Sequence, residues 1–230
     1  MGGSRDLQAG VIRASGWGRP SRNTRARCDG ARPLARPIMG VPTKRGRRVP
    51  AISEWSFAHA HEAASLARLV NDAYRATGPV KGWTSEAHLL GGQRIDGDML
   101  REMLARDDSR ILQAHVAGVL CGCIHLEKAP PAGVDLGLFA IRPDLQGQGL
   151  GRLVIAHAEH WAAAHWGARH AEITVIDLRR DLVAWYRRMG YDFTGERRAF
   201  PYGDERFGVA KRSDLAFAVM RKVLSGPTAS

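Results

Sequence analysis

The fold class that this sequence predicts is a mixed α/β layer, one sheet flanked by helices. Three observations predict it. Residues 134–176 read as strand, helix, strand, and such a crossover joins parallel strands in a right-handed sense. Ala117-Gly118 separates two apolar runs and marks a hairpin, so antiparallel pairs accompany the parallel one. Composition is that of a globular chain of 230 residues, with 44% hydrophobic and 25% charged residues. No run approaches the roughly 18 apolar residues of a membrane span. Three cysteines are too few for a disulfide framework, so a reducing cytoplasm is the expected compartment.

Each element has its own signal. Residues 53–57 suit a short edge strand. Residues 62–76 place apolar side chains at 63, 66, 67, 70, 73 and 74, a helical stripe. Residues 78–92, with Trp83-Thr84-Ser85-Glu86 and Gly91-Gly92, read as a loop or broken helix. Asp96 and Asp98 are candidate caps for a helix over 99–105, whose inner face is Met99, Leu100, Met103 and Leu104. Strands follow at 111–116, 119–127 and 134–141, the last ended by Arg142-Pro143. A glycine-rich turn then opens a long helix to Trp166, stopped by Gly167. Residues 171–176 form a buried strand. Asp181 is the candidate cap of a helix carrying Leu182, Trp185, Tyr186 and Met189, which ends at Gly190. Strands near 192–200 and 214–223 close the chain, joined by a loop that begins Pro201-Tyr202-Gly203.

The net charge of +11 suggests a nucleic-acid partner until it is mapped. Residues 1–50 hold 12 Lys and Arg against 2 acids, and residues 51–230 hold 22 against 21. The chain therefore divides into a basic extension over 1–50, expected to be disordered, and one nearly neutral domain over 51–230. Three readings of the extension stay open: a basic arm for nucleic acid or acidic surfaces, a transit peptide, or an over-extended start with Met39 as initiator. The blandest, a solvated extension, is favoured. Any nucleic-acid contact is expected in residues 1–50 alone.

The turn Gln146-Gly147-Gln148-Gly149-Leu150-Gly151 lies between a strand and a helix. Small residues there let backbone N–H groups meet phosphate oxygens beside the positive end of the helix. It is not a Walker A loop, because Arg152-Leu153 follows Gly151. It misses the dinucleotide fingerprint, which needs glycine at 152. Gln146-x-x-Gly149-x-Gly151, after a strand ended by Arg-Pro, resembles the coenzyme A pyrophosphate loop of the GNAT superfamily of N-acetyltransferases. Trp185-Tyr186-Arg187-Arg188-Met189-Gly190-Tyr191 resembles that family's aromatic-Tyr-x-x-x-Gly-aromatic helix end. The resemblance covers about residues 53–225.

The resemblance implies a mostly antiparallel sheet whose central parallel strands splay around acetyl-CoA. It implies an enzyme that passes an acetyl group to a primary amine of a small molecule or a protein. The cofactor would lie along Leu138, Phe139, Ala140 and Ile141. Its pyrophosphate would meet Gln146, Gly147, Gln148, Gly149, Leu150, Gly151 and Arg152. Arg179 stands where many members have Asn, and its guanidinium is a candidate phosphate contact. Tyr186 would protonate the leaving thiolate, with Arg187 and Arg188 expected to lower its pKa. A backbone N–H near Leu138 or Phe139 is the candidate oxyanion donor.

Glu127 and Asp135, at strand ends, are candidate bases, with a water relay as the alternative. Trp83, Glu86 and Tyr202 are candidate acceptor-binding residues, since loops on a rigid scaffold carry recognition. Cys121-x-Cys123-x-His125 would share one strand face by alternation, but no further pair completes four metal ligands, so no metal is expected. The second class of function kept open is a non-catalytic module that senses acyl-CoA or binds nucleic acid through its arm. The resemblance also allows a homodimer.

Overall fold

The computed structural model describes residues 51–76 and 82–225. Expectations for residues 1–50, and for part of the 78–92 loop, lie outside the described residues. The first half runs β1 (Glu54–Phe57), α1 (Ala63–Arg75), β2 (Leu90–Gly91), α2 (Gly97–Leu104), β3 (Ser109–Val116), β4 (Val119–Ala129) and β5 (Gly133–Ile141). The second half runs α3 (Leu150–Trp166), β6 (His170–Ile176), α4 (Arg180–Arg188), β7 (Asp192–Ala199), β8 (Val209–Ala210) and β9 (Ala216–Val223).

Seven strands form one sheet in the order β1-β3-β4-β5-β6-β9-β7. Its pairings are antiparallel except that of β5 with β6, which run parallel across the α3 crossover. The mixed sheet expected from the sequence is therefore present. β2 and β8 pair separately, antiparallel, tying the loop after α1 to the loop before β9.

Local chemistry accounts for the boundaries. The Asp96 carboxylate accepts from Met99 N at 2.8 Å and caps α2, whereas Asp98 lies inside its first turn. Ala117 (φ 50°) and Gly118 (φ 75°) are both left-handed, the geometry of a tight hairpin turn whose twist matches the strands. Gly167 (φ 65°) ends α3, its N–H returning to the Ala162 carbonyl. The cap of α4 differs from expectation. Arg179 occupies it, and Asp181 sits in the first turn.

Two apolar layers cover the sheet. On one face Ala63, Leu66, Leu69, Val70 and Ala73 of α1 and Leu100 and Met103 of α2 pack with Ile111, Cys123, Leu138 and Ala140. On the other, Leu150, Val154, Ile155, Ala158 and Ala162 of α3 pack with Leu112, Ile124, Leu126 and Phe139. Neighbouring Ile111 and Leu112 point to opposite layers, as strand alternation requires.

One bulge breaks that alternation on β4. Ala114 pairs with Gly122 and His115 with Leu120, so Cys121 is an extra residue. Cys121 faces the α3 layer and Cys123 the α1 layer. The expectation that Cys121, Cys123 and His125 share a face is thereby corrected. Among the described residues, no group of three His, Cys, Asp or Glu is placed to hold a metal ion. None of the described helices is long and apolar enough to cross a membrane.

A buried polar triad fixes the end of α4 to α3 and β9. Tyr191, 1% exposed, donates its hydroxyl to Glu159 Oε1 at 2.7 Å, and Lys222 Nζ donates to Glu159 Oε2 at 2.6 Å. A buried carboxylate that loses a donor keeps its desolvation cost. Tyr191→Phe is expected to lower unfolding free energy by about 1–3 kcal/mol, read as a lower urea midpoint with an unchanged slope. A midpoint equal to the parent's would show that this network contributes nothing to stability.

Candidate active site

The parallel pair does not stay paired. β5 and β6 match from Gly133↔His170 to Leu136↔Ile173 and no further, although β5 runs on to Ile141 and β6 to Ile176. The cause lies on the other side of β5. Gly137 pairs with His125 and Ala140 with Cys123, so β5 spends two residues where β4 spends one. The extra residue is Leu138, with φ 41°. A left-handed leucine is sterically costly, by roughly 1–2 kcal/mol, and persists only where surrounding packing fixes it. Leu138 is itself buried in the α1 layer.

A cleft lies where the two strands part. Gly137, Leu138 and Phe139 form one wall and Thr174, Val175 and Ile176 the other. Tyr74, Glu86, Arg94, Asp135, Glu172 and Tyr186 bring polar groups to it. The Tyr74 hydroxyl donates to the Phe139 carbonyl at 3.0 Å, joining α1 to the diverged strand. Glu86 is buried and pairs with Arg75 at 3.0 Å. Glu172 accepts from Arg221 Nε at 2.8 Å and stands beside Asp135 across the parallel register.

Tyr186 is 7% exposed, on the cleft side of α4, and its hydroxyl makes no hydrogen bond among the described residues. Burial raises its pKa above the ordinary phenol value, Tyr74 and Glu86 add to the rise, and Arg179 opposes it. The expected lowering by Arg187 and Arg188 is thus reversed, because both arginines are exposed on the outer side of α4 while the phenol is desolvated.

The turn before α3 forms an open cradle. Gly147 (φ 74°) and Gly149 (φ 88°) are both left-handed, and a Cβ on Gly147 would meet nothing within 4 Å. This left-handed backbone opens a 17-residue helix, and a glycine turn at a helix N-terminus is a fitting receptor for a pyrophosphate. Gly151 serves packing instead. A Cβ there would come within 3.2 Å of the Phe139 ring. Gln148 Nε2 donates back to the Asp144 carbonyl at 3.2 Å, while Arg152 is exposed.

A splayed parallel pair, a tyrosine at its edge and a glycine cradle on the following helix set the context for comparison. The profile of the Acetyltransferase (GNAT) family matches residues 67–191. The chain belongs to the GNAT acetyltransferase family. No curated protein sequence matches it significantly. Solved structures share the fold. A GNAT-family acetyltransferase from Streptococcus pneumoniae is 18% identical, covering 74% of this chain and 98% of that one at TM-score 0.52. The ribosomal-protein-S18-alanine N-acetyltransferase of Escherichia coli is 14% identical, covering 77% and 98% at TM-score 0.53. A variant of the spermidine N-acetyltransferase of Vibrio cholerae is 13% identical, covering 74% and 92% at TM-score 0.54.

GNAT enzymes draw their acetyl group from acetyl-CoA, and the cradle over Gly147 and Gly149 suits its pyrophosphate. Two residues expected to touch that cofactor have other work. Gln146 Nε2 donates to the Ile141 carbonyl at 2.9 Å and to Thr84 Oγ1 at 3.0 Å, so its side chain is a brace. Arg179, 4% exposed, spends all five N–H donors inside the protein. They reach the carbonyls of Trp83, Thr84 and Ser85 at 3.0–3.3 Å and both Asp181 oxygens at 3.1 Å. Its expected phosphate contact is corrected, since no donor remains.

The remaining candidates separate by position. Asp135 and Glu86 line the cleft. Glu127 neighbours Asp135 in register but is bonded to Arg106 and lies outside the lining. Trp83 is half-exposed against the edge of Trp185, with ring centroids 6.1 Å apart, and does not line the cleft. Tyr202 is also outside it, its hydroxyl accepting from Leu215 N at 2.6 Å. Sequence reasoning missed Tyr74, Arg94 and Glu172. Tyr74 sat on the apolar stripe of α1, and the other two sat in ordinary polar positions.

The Arg179 brace has a measurable signature. Arg179→Gln is expected to cost about 2–3 kcal/mol of stability, while coenzyme A affinity by calorimetry changes less than about threefold. Full stability with about tenfold weaker coenzyme A binding would restore a phosphate role to Arg179.

Proposed function

We propose that the chain is an acetyl-CoA-dependent N-acetyltransferase acting on a primary amine of a small molecule or protein by direct attack on the thioester, with Tyr186 as the acid. The observation that carries this reading is the Tyr186 hydroxyl, unbonded among the described residues and facing the cleft where β5 and β6 part. Acetyl-CoA supplies the activated acetyl group, and its thiolate needs a proton on leaving. A phenol whose pKa is raised by burial holds its proton throughout the neutral range and has it available at Oη.

The other roles follow the walls of the cleft. Residues 147–152 receive the pyrophosphate, and the backbone of Leu138, Phe139, Ala140 and Ile141 lines the pantetheine arm as an added strand would. Two carbonyls on that edge are already used, Phe139 by Tyr74 and Ile141 by Gln146. A backbone N–H at the Leu138 bulge is the oxyanion donor. The amine arrives as an ammonium, with an ordinary pKa near 10.4, and must lose a proton. Asp135, which lines the cleft as Glu127 does not, is the proposed acceptor of that proton, directly or through water.

Tyr186→Phe keeps the ring and removes only the hydroxyl. Turnover on any amine accepted in an acetyl-CoA screen is expected to fall at least about tenfold, since acid catalysis is commonly worth about 10²–10⁴-fold. Coenzyme A affinity stays within about twofold. The raised pKa also fixes a sign. Protonated Tyr186 is the active form and is lost only above its folded pKa, so it contributes no fall in turnover from pH 7 up to the ordinary phenol value of about 10. Full turnover in Tyr186→Phe would make the residue a packing element and leave the proton to water.

A further inference from the structure

The charges around the cleft are nearly all answered from within the protein. Glu86 has Arg75, and Glu172 has Arg221. Arg94 is different. Its guanidinium lies 5.6 Å from the centroid of the Tyr74 ring, and the residue lines the cleft half-buried. Among the described residues it has no ion pair and no side-chain hydrogen bond.

Its position is built rather than incidental. The Arg94 backbone N–H donates to Asn71 Oδ1 at 2.6 Å, and Asn71 Nδ2 donates to the Ile95 carbonyl at 2.7 Å. The same Asn71 nitrogen is held by the Ala67 carbonyl at 2.9 Å, which locks the segment to α1. Tyr74, beneath the guanidinium, is the residue that grips the Phe139 carbonyl at the parted strands. The Arg94 side chain thus starts from a held backbone and lines the same cleft as Tyr186. No residue of the 146–152 turn lines this cleft, so Arg94 is separated from the pyrophosphate cradle.

We propose that Arg94 binds a carboxylate on the acceptor, so that the substrate class is amines that carry a carboxylate, such as amino acids or peptide ends. This rests on the transferase reading above. A planar guanidinium binds a carboxylate through paired N–H donors. Glu86, Asp135 and Glu172 line the same cleft, Glu86 and Glu172 each paired with an arginine. A carboxylate accompanied by an ammonium suits both signs. Its anionic end faces Arg94 and its amine faces Asp135.

The test is an acetyl-CoA screen, read by released thiol, using the full chain. Amino acids of increasing amine-to-carboxylate spacing are each paired with the corresponding carboxamide, and simple amines are included. At least one acid is expected to exceed its carboxamide by about tenfold or more in kcat/KM, carried by KM. Arg94→Gln should reduce that ratio to about twofold or less, and Arg94→Lys should keep part of it. Both variants retain the Asn71 backbone bonds, and their melting temperatures and coenzyme A affinities should match the parent. Carboxamides equal to acids, a ratio unchanged in Arg94→Gln, or weakened coenzyme A binding in that variant would overturn the proposal. If no acid reacts, the carboxylate inference is also overturned. Thiol release with simple amines in the same screen then shows separately whether the transferase reading stands.

Discussion

One surplus residue governs this structure. β5 carries Leu138 where β4 offers no partner, and from that point β5 and β6 no longer pair. A regular strand would have zipped the parallel pair to its end and filled the sheet with backbone hydrogen bonds. The bulge instead leaves a cleft at the centre of the fold, walled by main chain from two strands. It also resets the alternation of side chains, so that Phe139 and Ile141 return to the α3 layer and Ala140 to the α1 layer. The core stays continuous around the gap. Left-handed strain at Leu138 is offset by its burial and by the Tyr74 bond to the next carbonyl.

The segment 82–86 is the hub that makes the cleft a single site. Gln146 reaches it from the glycine turn, Arg179 from the start of α4, and Arg75 from α1. The three contacts fix the glycine turn, the helix of Tyr186 and the wall bearing Tyr74 relative to one another. This explains why a fully satisfied arginine occupies position 179. Five directed donors can hold three consecutive carbonyls and a carboxylate at once, which a lysine or an amide cannot.

Much of this was legible in the sequence, and what was not has a physical reason. The glycine turn was readable because left-handed backbone at 147 and 149 strongly favours glycine and because it stands between a strand and a helix. Tyr186 reads as core from its helical spacing alone, and the motif around it is what singled it out as a residue now seen to line the cleft. The bulges at Cys121 and Leu138 were not, because each sits in a run that reads equally well as regular alternation. Tyr74 looked like core because its ring is core, and only its hydroxyl works at the strand edge. Arg179 carried no sign of its carbonyl partners, which lie 94–96 residues away in sequence. The same distance effect hid Arg94, whose neighbour Tyr74 belongs to a different element and whose role depends on a cleft that local patterning does not encode.

Removing the surplus residue is the most direct test of whether the splay makes the site. Deletion of Leu138 leaves Leu136, Phe139 and Ile141 on the α3 layer and Ala140 on the opposite face, so the core pattern survives. The strands β5 and β6 are then free to pair past Leu136. The measurement is calorimetry with coenzyme A on the deletion variant, with circular dichroism and a cooperative melt to establish that it is folded. The expected result is a folded protein that binds coenzyme A at least about a hundredfold more weakly than the parent. A folded deletion variant with parental affinity would contradict the claim that the splay at Leu138 makes the site.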